Sequence, residues 1–183
     1  MIWPGPTVSR CHQKGDAASE AVYSLCGQYR YLLTRIWDDA GPKALFVMLN
    51  PSTATELQND PTVERCERRA RSLGYGAFRV TNIFAFRATD PQDMRRAADP
   101  VGPLNDTALA ASVGWADMVL CAWGTHGAYL SRGAQVEAML RQSGKGMYHL
   151  GLSQQGHPKH PLYIGYDRKP ELWPDQSTAR NGD

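Results

Sequence analysis

Four short apolar runs punctuate the chain, and each breaks off into a polar or turn-forming group. Leu45–Leu49 leads into Asn50-Pro51-Ser52, and Phe78-Arg79-Val80 leads into Thr81-Asn82. Met118–Ala122 leads into Trp123-Gly124-Thr125-His126, and Met147–Leu150 into a loop carrying His157-Pro158 and His160-Pro161. Apolar runs this short, alternating with helical patterns, predict buried strands. Parallel strands of an open sheet offer their carboxyl ends to a ligand crevice, so these polar groups are expected to meet at one edge.

The rest of the pattern fills in around those runs. Residues 1–18 are rich in Gly, Pro and polar side chains and read as a loose lead-in. From Ala21 to Trp37, Val22, Tyr23, Tyr29, Tyr31, Leu33 and Ile36 surround Gly27, which predicts an N-terminal β-hairpin. Asp60-Pro61 pairs an N-cap with a proline at the first helical position. Val63, Cys66, Ala70 and Leu73 then recur at helical spacing until Gly74-Tyr75-Gly76. Asn105–Val113 and residues 130–142 read as further helices, and residues 86–103 as a loop. The expected architecture is α/β: a three-layer α/β/α domain with a central, mostly parallel four-stranded sheet plus the N-terminal hairpin. It spans residues 19–168, followed by a polar tail at 169–183.

Composition narrows the classes. The chain has 183 residues, 42% of them hydrophobic and 21% charged, enough for one domain with a substantial core. No apolar run approaches the roughly 20 residues that span a bilayer, and the N-terminus lacks a secretory pattern. A cytoplasmic protein without membrane contact is expected. The formal charge is only +2, but Arg65, Arg68, Arg69 and Arg71 cluster, with Glu64 and Glu67 interleaved. That cluster reads either as a solvated helix face or as a phosphate-binding one. Four cysteines without a C-x-x-C pair argue against a zinc or iron–sulfur site. G-x-G-x-x-G and Walker signatures are missing as well. Neither metal nor cofactor is expected.

Asn-Pro-Ser, Thr-Asn, Trp-Gly and His-Pro, in that order after successive strands, resemble the motifs of the uracil-DNA glycosylase superfamily. Those enzymes carry G-x-[DN]-P-[YGS] first and H-P-S-P or a relative last. Here the first reads Met48-Leu49-Asn50-Pro51-Ser52 and the last His160-Pro161-Leu162-Tyr163. The usual glycine is Met48, the final Ser-Pro is Leu162-Tyr163, and the iron–sulfur cysteines of the thermophile-type members are missing. The chain is also similar, more locally, to an uncharacterised bacterial and phage domain-of-unknown-function family. That likeness rests on Arg30-Tyr31, Trp37-Asp38, Leu49–Ala54, Asp60-Pro61-Thr62, Asp99–Pro103 and His160–Tyr163.

The glycosylase resemblance implies a monofunctional DNA glycosylase that flips a base out of DNA and hydrolyses its bond to deoxyribose. Such chemistry needs a positioned water and a donor aimed at the departing base. Asn50 is the candidate for the water, His160 for the donor, and His157 is the donor's rival. For the base the candidates are Ser52, Asn82, Phe84, Phe86 and His126. Arg87, Arg132 and Lys159 are candidates for phosphates, and Leu162 and Tyr163 for the wedge. The resembling uracil-specific enzymes place a Tyr where Ser52 stands, crowding the pyrimidine C5. A small Ser52 therefore admits a C5-modified pyrimidine, including the bulky bases of phage DNA. Both repair and anti-phage defence fit.

Each residue has a plainer reading too. Asn50 and Asn82 suit turns, His126 suits a helix start, and Phe84, Phe86, Leu162 and Trp123 suit a core. The expected partner is DNA, bound by a monomer. Two other readings stay open: a hydrolase or transferase acting on free nucleotides or nucleosides, and a non-catalytic nucleic-acid-binding module.

Overall fold

The computed structural model of the chain describes residues 3–175. Strand β1 (Thr7–Lys14) pairs with β2 (Ala17–Ser24), which pairs with β3 (Arg30–Ile36), all antiparallel. Strand β4 (Lys43–Met48) and helix α1 (Pro61–Ser72) follow, then strand β5 (Ala77–Asn82). After the short helix α2 (Pro91–Arg96) come α3 (Asn105–Trp115) and strand β6 (Met118–Cys121). A 3-10 segment at Thr125–Ser131 leads into α4 (Arg132–Gln142) and strand β7 (Met147–His149). A 3-10 turn at Pro161–Tyr163 and the two-residue strand β8 (Glu171–Leu172) complete the element order.

Among the described residues, eight strands form one sheet, in the order β1-β2-β3-β5-β4-β6-β7-β8. This corrects the expected three-layer sandwich around a mostly parallel four-stranded sheet. The sheet is twice that width and mixed. Pairings β1–β2, β2–β3, β3–β5 and β7–β8 are antiparallel, whereas β4–β5, β4–β6 and β6–β7 are parallel. The hairpin expected at residues 21–37 does not stand apart, because β3 continues into the main sheet through β5.

Both outer strands came from segments read as irregular. Residues 7–14, part of the expected lead-in, form the edge strand β1. Its side chains are exposed or half-buried, so no apolar alternation marks it. Polar Arg10, His12, Gln13 and Lys14 suit an edge that must not recruit further strands. The expected polar tail carries β8, and Trp173 beside it is 7% exposed, its ring 5.8 Å from that of Trp123. The remainder of that tail, residues 176–183, lies outside the described residues.

The apolar runs dictate the centre. Every residue of β4 after Lys43 is buried, so both faces of the strand are covered. Alternation sends Phe46 to one cluster, with Phe78 and with Val63, Cys66 and Ala70 of α1. Leu45 and Val47 go to the other, with Leu109 and Val113 of α3 and Val136 and Leu140 of α4. Asp60 caps α1 as its sequence predicts: its Oδ1 accepts the Val63 N–H at 2.8 Å. Among the described residues, no helix is long and apolar enough to cross a membrane.

The arginines of α1 divide between a solvated, ion-paired face and buried anchoring. Arg68 pairs with Glu64, and Arg71 with Glu67 and Asp16. Arg69, 2% exposed, donates to the Gly165 carbonyl at 2.8 Å, and Arg65 to the Ile164 carbonyl at 3.2 Å. These two fasten the segment after His160 onto the helix, and none of the four is left to form a free phosphate-binding face.

Candidate active-site cavity

Strands β4, β6 and β7 run parallel, so their carboxyl ends open on one edge of the sheet. Here lies a cavity of about 700 Å³. Asn50 and Ser52 reach it from the end of β4, Trp123 and His126 from the end of β6, and His157, Lys159 and His160 from the loop after β7. Leu162 and Tyr163 also line it. This is the volume range of a small-molecule site.

Asn50 is held, not free to turn. Its Nδ2 donates to the Ala88 carbonyl at 2.7 Å and to the Pro51 carbonyl at 3.0 Å. Two carbonyl partners fix the amide orientation, and the acceptor Oδ1 is left for a ligand or water. Ser52 Oγ lies 3.4 Å from Thr89 Oγ1, a small hydroxyl in the space where a bulky ring would narrow the cavity.

The histidines are set as donors. His160 Nδ1 accepts the Leu162 N–H at 3.4 Å, which in the neutral ring places the proton on Nε2. His126 Nδ1 lies 3.1 Å from Arg95 Nη2, and a guanidinium only donates, so its proton also sits on Nε2. Burial pushes the His160 pKa below its ordinary 6.5; the charge of Asp60 opposes this and His126 adds to it. His160 is therefore neutral at pH 7.

The loop carrying His157 and His160 is built onto the end of β6. Gly124 N–H donates to the Pro158 carbonyl at 2.8 Å, with Gly124 at φ +70°, a conformation that favours glycine. Trp123 packs closely against two glycines: a Cβ on Gly127 would sit 2.2 Å from its ring, and one on Gly133 2.8 Å. The Trp-Gly pair thus positions the histidine loop.

Five of the residues expected at the site are elsewhere. Asn82, 1% exposed, does not line the cavity; its carbonyl accepts from Asn105 Nδ2 and its own Nδ2 is buried without a partner. Phe84 lies in the core with its ring 5.8 Å from that of Tyr129, and Phe86 packs edge-on to Tyr29. Arg87 donates to the Gly27 carbonyl and covers the Tyr23 ring. Arg132, 5% exposed, donates to the Ile83 carbonyl at 2.8 Å and pairs with Asp106. The arginines expected to hold phosphates hold the protein's own oxygens instead. Lys159 remains at the cavity, with Tyr163 83% exposed beside it.

Two charged lining residues had no expected site role. Asp60 was read only as a helix cap, but it lines the wall with Pro61, Thr62 and Val63. Arg30 lines the cavity while 1% exposed. Its sequence signal is an arginine opening a strand, directly before the apolar run Tyr31-Leu32-Leu33.

One prediction follows from the histidines. Burial also lowers the pKa of His149, whose Nδ1 accepts the Gly151 N–H at 3.0 Å. The unfolded chain takes up protons at these two positions near pH 6.5 and the folded chain only at lower pH, so stability falls as pH drops below about 6.5. Urea denaturation across pH 5–8 should show this loss, and His160→Asn should reduce the acid-side slope.

No curated protein and no solved structure matches the chain. The family described as "Protein of unknown function (DUF1643)" matches residues 30–162, a stretch that runs from Arg30 to Leu162 and holds every cavity-lining residue except Tyr163 and Ile164. The chain belongs to that family.

Proposed function

We propose that this cavity hydrolyses the N-glycosidic bond of a pyrimidine presented by DNA. The observation that carries the reading is the convergence of Asn50 Oδ1 and the neutral His160 at one cavity. Bond cleavage builds positive charge on the sugar and negative charge on the departing base. His160 Nε2–H is the donor for that base, and its neutral form donates without first having to be protonated. His157 lines the same cavity and is its alternate. Asn50 Oδ1 accepts from the attacking water and places it; an amide is too weak a base to remove the proton early. Departure of the base therefore leads and water follows.

Ser52 leaves room at the pyrimidine C5, so the preferred base carries a C5 substituent. Tyr163 and Leu162 supply the apolar surface that would take the place of an extruded base. The likeness of the strand-end motifs to those of uracil-DNA glycosylases supports this reading through Asn50 and His160 themselves, and the sheet plays no part in it. A cytoplasmic site of action is consistent with four free cysteines, two of them buried.

The internal positions of Arg87 and Arg132 favour a second reading, in which the same hydrolysis acts on a free nucleotide. With those arginines engaged, fewer side chains remain to follow a DNA backbone. Oligonucleotides and mononucleotides carrying uracil, 5-hydroxymethylated or glucosylated pyrimidines, assayed for released base by mass spectrometry, separate the two. Release from oligonucleotides supports the DNA glycosylase; release from mononucleotides alone supports the second reading. Release from neither rejects both.

A further inference from the structure

Arg30 is a buried cation whose hydrogen bonds are incomplete on the side of the cavity. Its Nη1 donates to the Ala54 carbonyl at 2.5 Å, while Nε is buried without a partner. Among the described residues Nη2 makes no hydrogen bond and the guanidinium no ion pair. Arg35 and Arg69 share the unpartnered Nε but differ at the terminal nitrogens. Arg35 uses both terminal nitrogens, on Ser19 Oγ and on the Thr55 carbonyl and Asn59 Oδ1, and Arg69 uses both of its own on carbonyls. Burial pushes the Arg30 pKa down to about 10, so it still carries its charge at neutral pH.

The surrounding wall has the same electrostatic sense. Pro61, Thr62 and Val63 bring the N-terminal turn of α1 to the cavity, where the positive end of the helix dipole favours negative charge. Asp60 is the one carboxylate among the described lining residues, and both its oxygens accept backbone N–H groups, from Val63 and Ala54. Lys159 adds a second positive charge.

We propose that Arg30 is the anion receptor of this cavity, donating from its unpartnered Nη2 to an oxygen of a carboxylate or phosphate. The planar fork of a guanidinium directs Nη2 at such an oxygen while Nη1 stays on Ala54. The assignment rests on the cavity being the substrate site proposed above, and it narrows the substrate to one bearing an oxyanion. Two sources offer that chemistry: an acidic substituent on the pyrimidine, in the C5 space that Ser52 leaves open, or the phosphate of a mononucleotide.

Isothermal titration of the full chain with uracil, uracil-5-carboxylate, inorganic phosphate and deoxyuridine 5′-monophosphate tests this without any turnover. Wild type is expected to bind at least one of the two anionic pyrimidines ten or more times as tightly as uracil. Arg30→Met should abolish that advantage, and Arg30→Lys, which keeps the charge and loses the fork, should retain only part of it. Tighter binding of uracil-5-carboxylate assigns the oxyanion to the base; tighter binding of the monophosphate, with inorganic phosphate competing, assigns it to the nucleotide. The proposal is overturned when no anionic pyrimidine outbinds uracil in wild type, or when the advantage survives undiminished in Arg30→Lys. The wild-type comparison and the lysine variant decide the matter even where Arg30→Met does not fold. Base release from neutral DNA substrates without an anion advantage would sink this inference alone. An Arg30-dependent advantage without base release would sink only the glycosidic reading.

Discussion

Asn50→Ala is expected to slow base release about 10²–10³-fold, the usual cost of removing one group that acts on the transition state. The geometry makes this a rate effect more than a folding effect. Asn50 is half-buried, and the alanine variant loses the two donations from Nδ2, to Ala88 and Pro51, at about 1 kcal/mol each. A residue that merely shaped the turn after β4 would lower the melting temperature and leave the folded fraction at its full rate. Asn50→Asp keeps an acceptor oxygen but turns a carboxylate toward two carbonyls, and it should be less stable than the alanine variant. Single-turnover rates beside melting curves for the two variants distinguish catalysis from turn-making.

Arg132→Ala is expected to cost about 2–4 kcal/mol of stability, from the buried volume removed and the lost bond to the Ile83 carbonyl. Its partner Asp106 is 61% exposed on its side chain and returns to solvent, so the ion pair itself adds little. Urea denaturation reads that loss directly. The salt dependence of DNA binding should not change in the folded variant, whereas removing a true phosphate contact would flatten the slope by about 1. A stable Arg132→Ala protein with a flatter slope would return this residue to the DNA-binding surface.

The difference between Arg132 and Lys159 shows what the sequence could convey. Both stand near strand ends, and charge alone made both candidates for phosphates. What separates them is depth: Arg132 opens α4 against the carbonyl of Ile83, whereas Lys159 is exposed on the returning side of the histidine loop. Asn50, Ser52, His126, His157 and His160 were legible because an abrupt change from apolar to polar marks the end of a buried strand. That rule failed after β5. There the backbone keeps hydrogen bonding past the strand end, Ile83 to Met48 and Phe84 to Leu49, so Asn82 and Phe84 remain buried in the sheet. Arg30 was missed for the converse reason, since it begins a strand of the antiparallel part, where no ligand edge was expected. The centre of the fold was readable from burial on both faces of β4. The width of the sheet was not, because β1 is a solvated edge without alternation and β8 has only two residues.

The proposed cleavage of an N-glycosidic bond in this cavity depends on Asn50 and His160. Its most direct test is alkali-sensitive strand scission of DNA bearing uracil or C5-modified pyrimidines, run side by side for wild type, Asn50→Ala and His160→Ala. Alkali-sensitive sites are expected at one or more of these bases with wild type, and at least ~100-fold slower formation with either variant. Equal rates for all three proteins, or no abasic site with any base, would contradict it.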